Sequence, residues 1–176
     1  LVPRNASSDE ASAEPMRVWL SVPVGHLSLS GPSITDEPIF HWWALGGQLR
    51  GECRLEGGWS FVAEATAEAL SQVRYVSRPV QVHAGVGLAS TLLDNPRWDL
   101  KLLPRVGMVY GHSGNEARFW GGWGWLSIAG VIGVTAAVGI SIEASSKIGC
   151  WKDTIGPGNQ GCGGLVGGEF LVGVVL

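Results

Sequence analysis

The clearest structural signal in the chain is the sequence WSFVAEATAEALSQVR, which occupies residues 59–74. Its side chains change character with a period of two. The apolar positions are Trp59, Phe61, Ala63, Ala65, Ala67, Ala69 and Val73, and the polar positions are Ser60, Glu64, Thr66, Glu68, Gln72 and Arg74. A β-strand sends successive side chains to opposite faces, whereas a helix would mix the two sets. The stretch therefore predicts a strand with one apolar and one polar face.

The same alternation recurs along the chain, between clusters of Gly, Pro, Asn, Asp and Ser that mark turns. It predicts eight strands, at residues 16–30, 39–55, 59–75, 79–92, 98–111, 117–128, 132–148 and 162–176. The fold class that this pattern favours is all-β, an eight-stranded antiparallel barrel over residues 16–176. Pro23 and a change of alternation after Gly25 predict a β-bulge in the first strand.

Residues 1–15 are predicted to be a disordered lead-in, because they are small, polar and acidic. The first four of them resemble the remnant of an expression linker.

Composition limits the classes of function. Charged residues make up 15% of the chain, where about 25% is usual, and the formal net charge is -3. A protein that binds nucleic acid would show a basic footprint, which this chain lacks. There is no run of about 18 apolar residues that would predict a membrane-spanning helix. No His or Cys spacing predicts a metal site, and nothing indicates a cofactor.

Strand length and the placement of aromatic residues favour a membrane barrel over a soluble one. Strands of about 12–16 residues exceed the usual mode of about 5–6, and a tilted membrane strand needs about 9–11 in the hydrocarbon alone. Aromatic residues lie near the strand ends, as in the girdles at membrane interfaces. The predicted girdle is Trp42, Trp43, Trp59, Tyr75, Trp98, Tyr110 and Trp120. The alternative is a soluble lipocalin-like or avidin-like barrel that binds a ligand.

In strand count, alternation and apolar last strand, residues 16–176 resemble the small eight-stranded outer-membrane barrels of the OmpA, OmpX and Ail type. The resemblance implies an integral protein of the outer membrane of a Gram-negative bacterium. Its partners would be membrane lipid and lipopolysaccharide, and its role would be structural or surface-interactive. An even strand count puts both termini on one side of the membrane; if that side is the periplasm, the periplasmic turns would be at residues 56–58, 93–97 and 129–131. The outer loops, which could bind an extracellular or envelope partner, would be 31–38, 75–79, 111–117 and 148–162.

The polar faces of the strands predict a charged interior. Its members would be Arg50, Glu52, Arg54, Glu64, Glu68, Arg74, His83, Lys101, Arg105, Glu143 and Glu169. An eight-stranded barrel has an interior only wide enough for side chains, and charges held there must be paired. We therefore interpret this set as a plug that fills the barrel, and not as the lining of an open pore.

Two further motifs bear on chemistry. Cys150 and Cys162 bracket a Gly-, Pro- and Asn-rich stretch in the longest outer loop, which predicts a disulfide formed in an oxidising compartment. Residues 112–116 contain His112, Ser113 and Glu116 and faintly resemble the His-x-Ser-Asn stretch of PagL-type lipid A deacylases. Adjacent residues of a strand point to opposite faces, which hinders a hydrogen bond between that His and that Ser. A plain hairpin loop without catalysis is the favoured interpretation, and the deacylase is the enzymatic alternative.

Overall fold

The computed structural model describes residues 16–30, 40–71, 80–95, 97–113, 117–135, 137–153 and 163–176. Within these ranges the chain forms eight strands. They are β1 (Arg17–Ser30), β2 (Phe40–Arg54), β3 (Trp59–Ser71), β4 (Val80–Asn95), β5 (Trp98–Ser113), β6 (Ala117–Gly133), β7 (Gly139–Asp153) and β8 (Gly163–Val175). A short 3-10 turn, Glu56–Gly58, joins β2 to β3. The predicted all-β class and strand count are confirmed.

The eight strands close into one barrel in which every strand pairs with its neighbours in the sequence and β1 pairs with β8. All of the pairings are antiparallel. Following paired residues once around the sheet from Leu20 returns to β1 at Ser30, a shear of ten residues. The strands are therefore tilted, and a barrel of this strand number is filled by side chains.

The two faces of the sheet have opposite chemistry. Along β3 the buried positions include Glu64, Thr66 and Glu68, and the exposed positions between them are alanines. The outward face of the other strands is a belt of large apolar side chains, among which Val106 is 62% and Phe170 67% exposed. A soluble ligand-binding barrel would place its apolar face inside, so this arrangement is the reverse of the lipocalin-like alternative.

The barrel has two distinct ends. At the turn end, β1 begins, β8 ends, and the connections are short. The opposite end, which we call the loop end, carries the connections at residues 31–39, 72–79, 114–116 and 154–162, which lie outside the described residues along with 1–15. The predicted loops 31–38 and 75–79 and the predicted disordered lead-in therefore stay predictions. Within the described ranges, no helix is long and apolar enough to span a membrane.

Several predicted boundaries are wrong. The turn predicted at residues 129–131 lies inside β6, and the chain reverses instead at residues 134–138. There the hydroxyl of Thr135 accepts hydrogen bonds from the backbone N–H groups of Ala137 (3.2 Å) and Val138 (3.0 Å), which closes the turn without Gly or Pro. The predicted loops 111–117 and 148–162 are also too long, because β5 continues to Ser113 and β7 to Asp153.

The predicted bulge in β1 is wrong as well. The register of β1 against β8 runs unbroken through Pro23 and Gly25, and its register against β2 is the same on both sides of them. The irregularity lies instead in the pairing of β4 with β5, between Thr91 and Leu93. The turn predicted at 56–58 is present. Gly57 and Gly58 both have positive φ there, at 72° and 78°, which glycine adopts without strain.

Candidate functional site

The centre of the barrel is closed by a ring of four charged side chains from four strands. Arg50 donates from Nε to Glu64 Oε2 (3.0 Å) and lies 2.7 Å from Glu143 Oε2 through Nη2. Arg105 completes the ring by pairing with Glu64 and, at 2.5 Å, with Glu143 Oε1. The charges alternate around the ring and sum to zero. We call these four residues the central ring.

Neutral side chains add hydrogen bonds to the central ring, although Arg50 Nη1 and Arg105 Nε have no hydrogen-bond partner among the described residues. Trp125 donates from Nε1 to Glu64 Oε1 at 2.9 Å, Gln48 Oε1 accepts from Arg50 at 3.0 Å, and Ser127 accepts from Arg105. All four charged members are buried, and Arg50 is 0% exposed. Buried charge is tolerated when each member has partners of opposite sign and hydrogen bonds, as it does here.

A second charged group lies towards the loop end. Lys147 Nζ is 2.6 Å from Glu169 Oε2 and 3.8 Å from Glu68 Oε1. Glu68 Oε2 also accepts from Gln81 Nε2 (2.6 Å) and lies 3.0 Å from His83 Nε2. We call these five residues the loop-end cluster. It joins β3, β4, β7 and β8 across the interior.

A third group lies at the turn end. Lys101 pairs with Glu52, and Asp99 accepts from Arg17 Nη1 at 3.1 Å. Trp19 donates from its indole N–H to Glu52 Oε2 at 3.1 Å. Five of the predicted interior charges thus meet outside the central ring: three in the loop-end cluster (Glu68, His83, Glu169) and two at this end (Glu52, Lys101).

Three tryptophans inside the barrel were not identified from the sequence. Trp19, Trp123 and Trp125 are nearly fully buried, and each lies against a cation. Arg50 Cζ is 5.1 Å from the Trp19 ring centroid, Lys147 Nζ is 5.7 Å from that of Trp123, and Arg105 Cζ is 5.6 Å from that of Trp125. Such cation–π contacts are strongest when desolvated.

Inward glycines make room for one of these rings. A Cβ added at Gly85 or Gly107 would lie 2.8 Å from Cη2 of Trp125, so larger residues there would displace the indole. The sequence signal for an inward-facing tryptophan was a pair of glycines on the polar face of neighbouring strands, since such glycines leave a space that a large side chain must fill.

The remaining predicted interior and girdle residues are placed as follows. Arg54 is exposed at the turn end, where it lines the same small cavity as Glu52 and Lys101. Arg74 lies outside the described residues. Five girdle members are exposed on the outer wall: Trp43, Trp59, Trp98, Tyr110 and Trp120. Nothing is described of the Trp42 side chain or of Tyr75.

The enzymatic alternative and the cysteines are only partly described. His112 is exposed on the outward face of β5, while the Ser113 side chain and Glu116 lie outside what is described. Cys53 is a free, exposed thiol. Since Cys162 is outside the described residues, its pairing with Cys150 stays a prediction. Among described residues, no cluster of three or more His, Cys, Asp or Glu could hold a metal ion.

Little empty space remains between the charged groups. A cavity of about 40 Å³ lies at the turn end beside Glu52 and Lys101, and one of about 10 Å³ lies at the loop-end cluster beside Glu68 and Glu169. A cavity needs roughly 10–15 Å³ to hold one water molecule. Each of these two cavities is therefore large enough for isolated water molecules only.

Comparison with known proteins identifies the fold and no closer relationship. No family model and no curated relative matches the sequence. The crystal structure of Neisserial surface protein A is similar with a TM-score of 0.65 and 12% identity, covering 90% of this chain and 96% of that one. The outer membrane protein OprG from Pseudomonas aeruginosa is similar with a TM-score of 0.50 and 8% identity, covering 90% and 94%. The structure of the outer membrane protein AlkL, determined in lipid bilayers, is similar with a TM-score of 0.50 and 8% identity. The match covers 99% of this chain and 95% of that one. The predicted resemblance to small outer-membrane barrels is confirmed for the fold.

Proposed function

We propose that this chain is an integral protein of a Gram-negative outer membrane, with a side-chain-filled interior and a structural or surface-interactive role. The observation that carries the proposal is the inverted distribution of polarity. The outer wall is apolar, with side chains such as Ile142 and Val172 more than half exposed, while Arg50, Glu143 and Lys101 are buried inside. Water would favour the opposite arrangement, whereas a lipid bilayer favours this one.

The aromatic residues support the same location. Trp59 and Trp98 are exposed at the turn end of the wall, and Trp43, Tyr110 and Trp120 are exposed towards the loop end. Tryptophan and tyrosine favour both interfaces of a membrane, because their rings are apolar and their N–H or O–H groups are polar. Two aromatic levels separated by an aliphatic belt match a wall that crosses a bilayer.

Solubility tests the proposed location. We expect the purified protein to need detergent or lipid to stay monodisperse, because the exposed aliphatic belt would otherwise meet water. Size-exclusion chromatography before and after detergent removal measures this, with a folded soluble barrel of similar mass as the control. A sharp monomer peak in plain buffer would contradict the membrane location.

The filled interior leads to a second expectation. In planar bilayers the folded protein should show little or no ion conductance, because the central ring joins side chains from β2, β3, β5 and β7 across the interior. The ring carries no net charge that would draw in water or ions. Single-channel recording measures this, with a porin in the same bilayer as the positive control. A steady conductance of one level would show the charged residues to be a channel lining.

We further propose that surface interactions involve the connections at the loop end. These are residues 31–39, 72–79, 114–116 and 154–162, and lipopolysaccharide or an envelope partner would meet them there. A disulfide between Cys150 and Cys162 would constrain the last of these connections, which supports a role for it as a stable contact surface. The exposed His112 on the outer wall adds no support for a catalytic group, so we propose no enzymatic activity.

A further inference from the structure

A shallow apolar groove of about 490 Å³ runs over the outer wall of the barrel, across β1, β2 and β3. Leu20, Val22 and Leu49 border it, and each is about half exposed. The surface is depressed here because Ala65 and Ala67 have small side chains, whereas most outward positions on other strands carry larger aliphatic residues. The groove is continuous with the apolar belt that we propose to face lipid.

An interruption of the sheet lies at one side of the groove. Pairing between β1 and β2 is regular up to Ser21 with Gln48 and resumes at Val24 with Leu45, and no pairs are formed between these points. Pro23 lies in the gap and has no N–H to donate, which removes a ladder hydrogen bond.

Two glycines of β2 shape the same gap. At Gly46 an added Cβ would lie 2.0 Å from the carbonyl oxygen of Ala67, so β2 approaches β3 there too closely for any other residue. At Gly47, which faces outward, an added Cβ would meet nothing within 4 Å. At Gly47 the floor of the groove is therefore bare backbone, and the space above it is empty.

We propose that this groove is a binding site for one acyl chain of a membrane lipid, held in place rather than exchanging freely with the lipid around the barrel. The proposal rests on the membrane location given above. The groove is open to its surroundings on one side, and its volume of about 490 Å³ leaves room for a stretch of one acyl chain along the wall. A second copy of the chain would need a contact of about 800 Å² on each partner, far more than the groove offers. A concave wall contacts a chain on more than one side, which adds dispersion contacts that a convex wall cannot make.

Photo-crosslinking in nanodiscs tests the site. The probe is a phospholipid that carries a diazirine in one acyl chain, mixed into phosphatidylethanolamine and phosphatidylglycerol, and mass spectrometry maps the adducts. We expect peptides of β1–β3 to be labelled about fivefold more than those of β5–β7, through the added dispersion contacts. Gly47→Leu and, separately, Ala67→Leu should lower labelling of β1–β3 to the average of the belt. Gly124→Leu is the matched control on β6, where space is also open, and it should leave the pattern unchanged.

The other outcomes are distinguishable. Even labelling around the belt, or unchanged labelling in Gly47→Leu, overturns the groove while leaving the membrane location intact. Crosslinks between two copies at β1–β3, formed by a bifunctional reagent in the same nanodiscs, would overturn it in favour of a dimer contact. If no peptide of the belt is labelled and the protein is monodisperse without detergent, the proposed membrane location itself fails.

Discussion

Replacing Arg105 with leucine should lower the free energy of unfolding by about 3–5 kcal/mol, the usual cost of removing one member of a buried charge group. Arg105 bridges Glu64 and Glu143 and also donates to Ser127, so its loss leaves the central ring with two carboxylates and one guanidinium. Urea unfolding in phospholipid vesicles, monitored by tryptophan fluorescence, measures the effect.

A double variant separates loss of charge balance from loss of packing. Arg105→Leu combined with Glu143→Leu removes one charge of each sign and leaves Arg50 paired with Glu64 at 3.0 Å. Apolar replacement of a buried pair is often neutral, so the double variant should recover most of the stability lost in the single one. A single variant that costs less than about 1 kcal/mol, as an exposed pair would, contradicts the buried ring.

The architecture was predictable because one face of most strands is apolar over its whole length. In β3 exposed and buried side chains alternate without exception between Trp59 and Leu70, and every exposed one is apolar. A shift of the strand by one residue would turn both of its glutamates towards the outer wall. Glu64, Glu68, Arg105 and Glu143 were placed on the inner side by this rule alone. The partners of these residues could not be predicted, because the shear of the sheet decides which residues of distant strands lie at the same level along the barrel axis.

In the sixth strand, the alternation of apolar and polar residues does not predict which side chains face the interior. In FWGGWGW, residues 119–125, tryptophan and glycine are both compatible with either face. Trp120 faces outward while Trp123 and Trp125 face inward, because an odd spacing separates Trp120 from the other two. Only the glycines of neighbouring strands, such as Gly107, decide which ring fits inside.

The misplaced turn has a comparable cause. Residues 126–142 are almost continuously apolar, and their three glycines, Gly130, Gly133 and Gly139, do not show which of them marks the turn. The real reversal depends on the side chain of Thr135, which satisfies two backbone N–H groups. A threonine among β-branched residues also fits a strand, and so the sequence alone does not distinguish the two uses.

The outer wall should tolerate an added charge poorly. Ala67→Arg is expected to destabilise the folded barrel by about 2–4 kcal/mol, the cost of a lipid-facing arginine near the membrane midplane, and to block insertion. Ala67 is on the outward face of β3, paired with Gly47 and Val82, so the arginine would have only apolar neighbours in this wall. Folding yield into vesicles and urea unfolding both measure the effect.

Glu68→Ala, at the neighbouring inward position, is the comparison variant that tests which face of β3 meets lipid. Glu68→Ala removes a carboxylate from the loop-end cluster, but Lys147 keeps its contact with Glu169 at 2.6 Å, and no cation is left without a partner. The loss should therefore be smaller than that of Ala67→Arg, although Gln81 and His83 each lose an acceptor. Ala67→Leu controls for side-chain size and should insert normally. If Glu68→Ala proved more damaging than Ala67→Arg, the even positions of β3 would be facing lipid and the assignment of inside and outside would be reversed.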